Sequence, residues 1–145
     1  MRAALLCFAM VLTAGRAPEP ITEITLTRSE CFGPCPAFTA TFKADGSVVY
    51  HGEAHVSHLG DFTATVDQYD FDRLAEAIDA VRFDELNDSY PTNVTDTSSI
   101  EIMVARKSKN KKVWAADIPP KVWLIARAMD AILAEAKGWK RIRKK

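Results

Sequence analysis

The sequence predicts an α+β fold in which a mainly antiparallel sheet of about five to six strands carries two helices on one face. Three observations predict it. Several short segments alternate apolar and polar residues, the period of a strand with one buried face. Asp45-Gly46 supplies a hairpin turn between two of these segments. Two longer segments space their apolar residues three and four apart, as amphipathic helices do, which gives the order ββββ-α-ββ-α.

Four strands are predicted before the first helix. Ile21–Arg28 alternates apolar residues with threonines, and Phe38–Lys43 continues the pattern after a short interruption. The turn at Asp45-Gly46 then leads into Ser47–His51. A fourth alternating segment, Asp61–Val66, completes the set.

Two helices and two further strands follow. Asp67 can cap a helix that runs to about Arg82, with apolar positions at Phe71, Leu74, Ala75, Ile78 and Val81. Strands are predicted at Ile100–Ala105 and Val113–Ala116. Pro119-Pro120 opens the last helix, and Gly138 is expected to end it.

The length of 145 residues fits one compact domain, which we place at residues 21–138. Residues 1–17 have a positive start, an apolar run too short to span a bilayer, and small residues near Gly15, which predicts a signal peptide. Cys7 lies within this removed segment, with too short an apolar run before it for a lipoprotein signal. We therefore expect a periplasmic or secreted protein, followed at residues 139–145 by a basic C-terminal tail.

The charges divide sharply along the chain although the formal net charge is zero. Residues 1–98 carry six Lys and Arg against fifteen Asp and Glu, and residues 99–145 carry thirteen against four, so the two parts are −9 and +9. A chain without net charge has no global field to recruit nucleic acid. The basic run Arg106–Lys112 and the tail are interpreted as a solvated hairpin tip and a frayed end, the alternative being weak contact with an anionic surface.

Cys31 and Cys35 are the cysteines that remain after export, and they flank a loop that Gly33, Pro34 and Pro36 keep irregular. An even pair in an oxidising compartment predicts one disulfide, which braces the loop locally. The alternative is a thiol-disulfide redox centre. Such centres usually have two intervening residues and a helix N-terminus, whereas here three residues intervene and a strand follows.

The three histidines, His51, His55 and His58, cluster in sequence and raise the alternative of a metal site. On a regular strand, His51 and His55 would lie about 13 Å apart and His58 would point to the other face. We therefore interpret them as surface residues. The chain has no nucleophile elbow, phosphate-binding glycine loop or paired-histidine zinc motif, so the sequence favours a non-catalytic protein and indicates no cofactor.

The stretch Cys31-Phe32-Gly33-Pro34-Cys35-Pro36, followed by Asp45-Gly46-Ser47 through Gly52, resembles a family of exported bacterial proteins, the domain of unknown function DUF6438. Further matching positions are Gly60, Phe83, Tyr90 and Thr95-Asp96, so the resemblance covers about Ile24 to Leu133. It implies a compact envelope or secreted domain, sometimes behind a lipid anchor, and supplies no established activity.

The sequence thus favours an exported binding or structural module braced by one disulfide, with a redox protein and a metal or polyanion binder as alternatives. It does not identify the partner, an envelope protein being one candidate. Thr95 and Asp96 are expected to pin their loop through local side-chain hydrogen bonds.

Overall fold

The computed structural model describes residues 17–143 and confirms the α+β class: one sheet of eight strands carries two helices. Most of the predicted signal peptide, including Cys7, and the last two lysines lie outside the described residues. The strands are β1 Ile21–Arg28, β2 Ala37–Lys43, β3 Ser47–Ala54, β4 Gly60–Thr65, β5 Ser89–Tyr90, β6 Ile100–Arg106, β7 Asn110–Ala115 and β8 Lys137–Arg141. The helices are α1 Gln68–Ala80 and α2 Pro120–Ala134.

The strands are arranged in the order β5-β7-β6-β1-β2-β3-β4-β8. All neighbours are antiparallel except β5 and β7. The predicted count of five to six strands was therefore too low. β5 has only two residues, too few for a period to show, and β8 has the sequence Lys-Gly-Trp-Lys-Arg, in which a single apolar side chain cannot alternate.

Both helices cover the same face of the sheet, as predicted. Every second residue of the long strands is buried there, among them Ile24 and Leu26 of β1, Phe42 of β2 and Val104 of β6. Phe71, Leu74 and Ile78 of α1 and Val122, Ile125 and Met129 of α2 join them in one core. The opposite face is polar, and hydroxyl pairs such as Thr25 with Thr41, 3.0 Å apart, cross its central strands.

The first helix begins as predicted and the second ends earlier than predicted. The Asp67 carboxylate accepts a hydrogen bond from the Tyr69 backbone N–H at 2.9 Å and so caps α1. α2 ends at Ala134, and Gly138, with φ +67°, lies inside β8 instead of closing the helix. The segment predicted as a tail, 139–145, therefore starts within a strand, which Trp139 attaches to the core. Within residues 17–143, the helices lack the length and hydropathy of a membrane-spanning segment.

The basic run Arg106–Lys112 differs from the predicted solvated tip. The turn spans only residues 107–109, and Arg106 is the last residue of β6, with its side chain 2% exposed. Its guanidinium donates to the carboxylate of Asp79 on α1 and to the backbone carbonyl of Glu19. The strand register places Arg106 on the covered face of the sheet, next to α1. A charged side chain that is buried there needs a partner of opposite charge.

Candidate functional site

Three loops and the C-terminal segment meet at one end of the sheet, which we call the loop end. Residues 29–36 join β1 to β2, residues 55–59 join β3 to β4, and residues 91–99 lead into β6. The register places them together, because Arg28 pairs with both Phe38 and Ile100, and Gly52 pairs with Gly60. The residues that follow Arg141 leave β8 at the same end, where the Ile142 N–H donates to the Asp61 carbonyl at 2.9 Å.

The predicted cysteine pair is confirmed, since the Sγ atoms of Cys31 and Cys35 lie at disulfide-bonding distance and their Cα atoms are 5.6 Å apart. Within the ring the Gly33 N–H donates to the Cys31 carbonyl at 2.8 Å. The ring lies between two strands and not at the start of a helix. It leaves the Phe32 side chain 91% exposed at the tip of the loop.

Replacing both Cys31 and Cys35 by Ser is expected to lower the free energy of unfolding by about 2 kcal/mol, because the bond closes a short loop in the unfolded chain. Urea unfolding of the variant and the parent protein measures the difference. The pair should also resist reduction, with a potential below about −300 mV against glutathione. A potential between about −270 and −120 mV would instead favour the redox alternative.

The disulfide loop is held to residues 91–99 by backbone atoms. The Phe32 N–H donates to the Asp96 carbonyl at 3.3 Å, and Asp96 itself has φ 60°. The side chains of Thr95 and Asp96 make no hydrogen bond within residues 17–143, so the predicted side-chain pinning is replaced by a backbone contact. Ser29 and Ser99, which the sequence did not single out, add a hydrogen bond from the Ser99 N–H to the Ser29 hydroxyl at 2.8 Å.

The three histidines have separate surroundings. His51 lies on the polar face, with its Nδ1 2.5 Å from the Asp61 carboxylate, and His55 is exposed in the loop with φ 53°. His58 packs among aromatic rings. No three His, Cys, Asp or Glu side chains in the described part of the chain gather as metal ligands, so the metal alternative gains no common site there.

The most enclosed feature of the loop end is a cavity of about 310 Å³, which we call the aromatic cleft. It lies between the 55–59 loop, the last turns of α2 and β8. The Tyr50 ring centroid is 5.5 Å from that of Phe38 and 5.3 Å from that of Trp139. His58 stacks on Trp139 with centroids 4.1 Å apart. The cleft is lined by Phe38, Tyr50, Val56, Ser57, His58, Asp130, Leu133, Ala134 and Trp139.

Two polar groups, a carboxylate and a hydroxyl, belong to the otherwise apolar wall of the aromatic cleft. The Asp130 carboxylate accepts hydrogen bonds from the Arg28 guanidinium at 2.5 and 3.2 Å, which fixes one carboxylate beside the apolar walls. Tyr50 is only 5% exposed, and its hydroxyl, which has no hydrogen-bond partner among residues 17–143, keeps a small contact with solvent. Burial raises the pKa of this hydroxyl above its ordinary value, so it stays protonated and can donate a hydrogen bond.

Sequence reasoning did not find the cleft. The alternation of β2 and β3, which buries Phe38 and Tyr50 on one face, is the signal that could have shown part of its wall. His58 was interpreted as a surface residue and Trp139 as part of the tail. Their contact depends on β8 pairing with β4, a long-range pairing that no local pattern revealed.

The comparison with known proteins supports the resemblance seen in the sequence. No curated protein is significantly similar to this chain. The sequence model of the family described as Domain of unknown function (DUF6438) matches residues 22–133, which is more than three quarters of the 145 residues. This chain therefore belongs to the DUF6438 family.

Proposed function

We propose that this protein is an exported, non-catalytic binding domain, periplasmic or secreted, and that the aromatic cleft holds a small ligand with an apolar ring. The observation that carries the proposal is the cleft, whose wall includes Tyr50, a 5% exposed residue with no hydrogen-bond partner for its hydroxyl among residues 17–143. Its volume of about 310 Å³ is at the lower end of the range for ligand pockets, which suits a single ring better than a large cofactor. Export rests on the N-terminal sequence.

The cleft also suggests what the ring carries. Aromatic walls favour a flat apolar body through offset and edge-to-face contacts. The protonated Tyr50 hydroxyl donates, so a ligand oxygen placed near it gains a hydrogen bond that Tyr50 lacks within the described residues. We therefore expect a ring that bears a hydroxyl or carbonyl oxygen.

Binding fits the arrangement better than catalysis. The Ser57 hydroxyl lies 3.2 Å from Nδ1 of His58, a contact of the kind that activates a nucleophile. Such a pair needs a third group to orient the imidazole. Asp130, the carboxylate that lines the cleft, directs both oxygens to Arg28 and makes no hydrogen bond to His58.

The proposal is tested by measuring the binding of p-cresol to the wild-type protein and to a variant whose cleft is filled by an added ring. Wild-type protein should show saturable chemical-shift changes in ¹H–¹⁵N NMR spectra, with a Kd on the order of 1 mM for so small a molecule. Ala134→Phe puts a ring into the cleft and should weaken binding at least about tenfold, because the ring displaces the probe. Ala134 is exposed at the end of α2, so the fold should tolerate the change.

Ala131→Phe is the matched control, since it places the same ring at an exposed position on the same helix outside the aromatic cleft. It should bind p-cresol like the wild type. Absence of saturable binding to the wild type, or equal weakening by both variants, would contradict the proposed site.

A further inference from the structure

The exposed apolar side chains of this domain are unevenly distributed. Eight large hydrophobic side chains are exposed within residues 17–143, and four of them belong to the loop end. These are Phe32 at 91%, Val94 at 68%, Leu59 at 53% and Ile142 at 42%. The opposite end, formed by the turns at 44–46, 66–67 and 107–109, exposes one large hydrophobic side chain among residues 17–143, Tyr69 in the first turn of α1. The asymmetry marks the loop end as an interaction surface.

We propose that the loop end docks onto an anionic phospholipid bilayer, with Phe32 and Leu59 entering the headgroup region. The four side chains stand on separate loops at the ends of neighbouring strands and do not line one groove. A protein partner needs a contiguous, shape-complementary core. A fluid interface accepts separate apolar points that reach a common level. This surface is distinct from the interior of the aromatic cleft.

Phe32 is suited to insertion because its loop is already ordered. The disulfide closes the ring around it, and the Phe32 N–H is held by the Asp96 carbonyl at 3.3 Å. An ordered loop loses little conformational freedom when its tip enters the interface.

Basic side chains of β8 and of the residues that follow it favour an anionic surface. Lys140 and Arg141 lie in β8, Arg143 follows, and the sequence continues with two more lysines. Basic side chains beside an apolar anchor are attracted to anionic headgroups, and two weak signals together give a stable attachment. Arg28, also at the loop end, is paired with Asp130 and adds no free charge.

Acidic groups at the same end oppose this attraction, and their removal therefore provides a second test. Glu30 and Asp96 lie beside Phe32 and are exposed, and Glu53 and Asp117 are exposed near the ends of β3 and β7. Asp61 is within ion-pair distance of His51. Neutralising the carboxylates next to Phe32 should therefore strengthen binding.

Vesicle flotation tests the proposal with the exported protein after its signal has been removed. We expect binding to phosphatidylcholine vesicles that contain about 30% phosphatidylglycerol, and little binding to phosphatidylcholine alone. Phe32→Ala should reduce the bound fraction about fivefold, because it removes the main apolar anchor. The pair Glu30→Gln and Asp96→Asn should increase it.

Tyr69→Ala is the matched control, since Tyr69 is 63% exposed on α1, away from the loop end. It should bind vesicles like the wild type, and circular dichroism should show that each variant stays folded. Equal binding by Phe32→Ala and Tyr69→Ala would overturn the proposal, because the basic residues alone would then explain the attraction. No binding to the anionic vesicles would overturn it as well, whereas p-cresol binding in the cleft is measured independently.

Discussion

Asp79→Asn is expected to lower the free energy of unfolding by about 3 kcal/mol, because it removes a carboxylate that compensates a buried guanidinium. The Arg106 side chain is 2% exposed, and its guanidinium donates to Asp79 and to the Glu19 carbonyl. The second carboxylate, Asp84, lies 3.5 Å from Nε of Arg106, and that nitrogen forms no hydrogen bond within the described residues. Asp84 therefore compensates for the lost charge only in part.

Urea unfolding of the variant and the wild type measures this cost. Glu76→Gln is the control, because Glu76 is a carboxylate on the same helix that forms no ion pair among residues 17–143, and its replacement should change stability by less than about 0.5 kcal/mol. Adding Arg106→Met to Asp79→Asn should recover part of the loss, since no uncompensated charge then remains in the core. A cost for Asp79→Asn no larger than that of the control would show that solvent or Asp84 satisfies Arg106.

The same ion pair shows what the charge pattern could and could not predict. The sequence separates an acidic part from a basic part, and the structure brings them together along α1, β6 and β7. Lys109 pairs with Asp84 at 2.8 Å, and Lys111 pairs with Asp88 at 2.5 Å. The basic run therefore forms ion pairs with acidic side chains of the same chain. Composition could not predict these pairs, because it does not say which residues of neighbouring elements lie opposite each other.

The one-sided sheet followed from the sequence because alternation is a local property. In the strands, apolar residues such as Ile24, Leu26 and Phe42 recur at every second position and so identify the buried face. In the helices, a spacing of three and four residues identifies the buried face in the same way. β8 could not be found in this way. It is an edge strand whose position depends on Trp139 reaching rings from β3, β4 and the 55–59 loop.

The candidate site was predictable to the same limited extent. Its cysteine loop is closed by residues four positions apart, and the pairing followed from their number and spacing. The aromatic cleft joins residues from Phe38 to Trp139, and its walls meet only after the strands have paired. Local patterns identify the apolar faces that form such a cleft but not the gap that remains between them.

Gly52→Ala is expected to destabilise the domain by about 3 kcal/mol and to open the wall of the aromatic cleft. Gly52 follows Tyr50 on the covered face of β3, and the 55–59 loop folds back over it. A Cβ atom at residue 52 would lie 2.0 Å from the His58 carbonyl oxygen and 2.8 Å from Cγ2 of Val56. The nearer atom belongs to the backbone, so rotation of a side chain cannot relieve the clash and the loop itself must move.

Movement of the loop carries His58 and Val56 away from the cleft, so Gly52→Ala should also weaken p-cresol binding by at least about tenfold. Gly33→Ala is the matched control, since the nearest atom to its added Cβ would be Cys31 Sγ at 3.7 Å, an ordinary contact. Urea unfolding measures the stability of both variants, and the NMR titration measures their affinity for p-cresol. If Gly52→Ala were as stable as Gly33→Ala and still bound p-cresol, the 55–59 loop would have room to shift without changing the cleft, and His58 would not be one of its fixed walls.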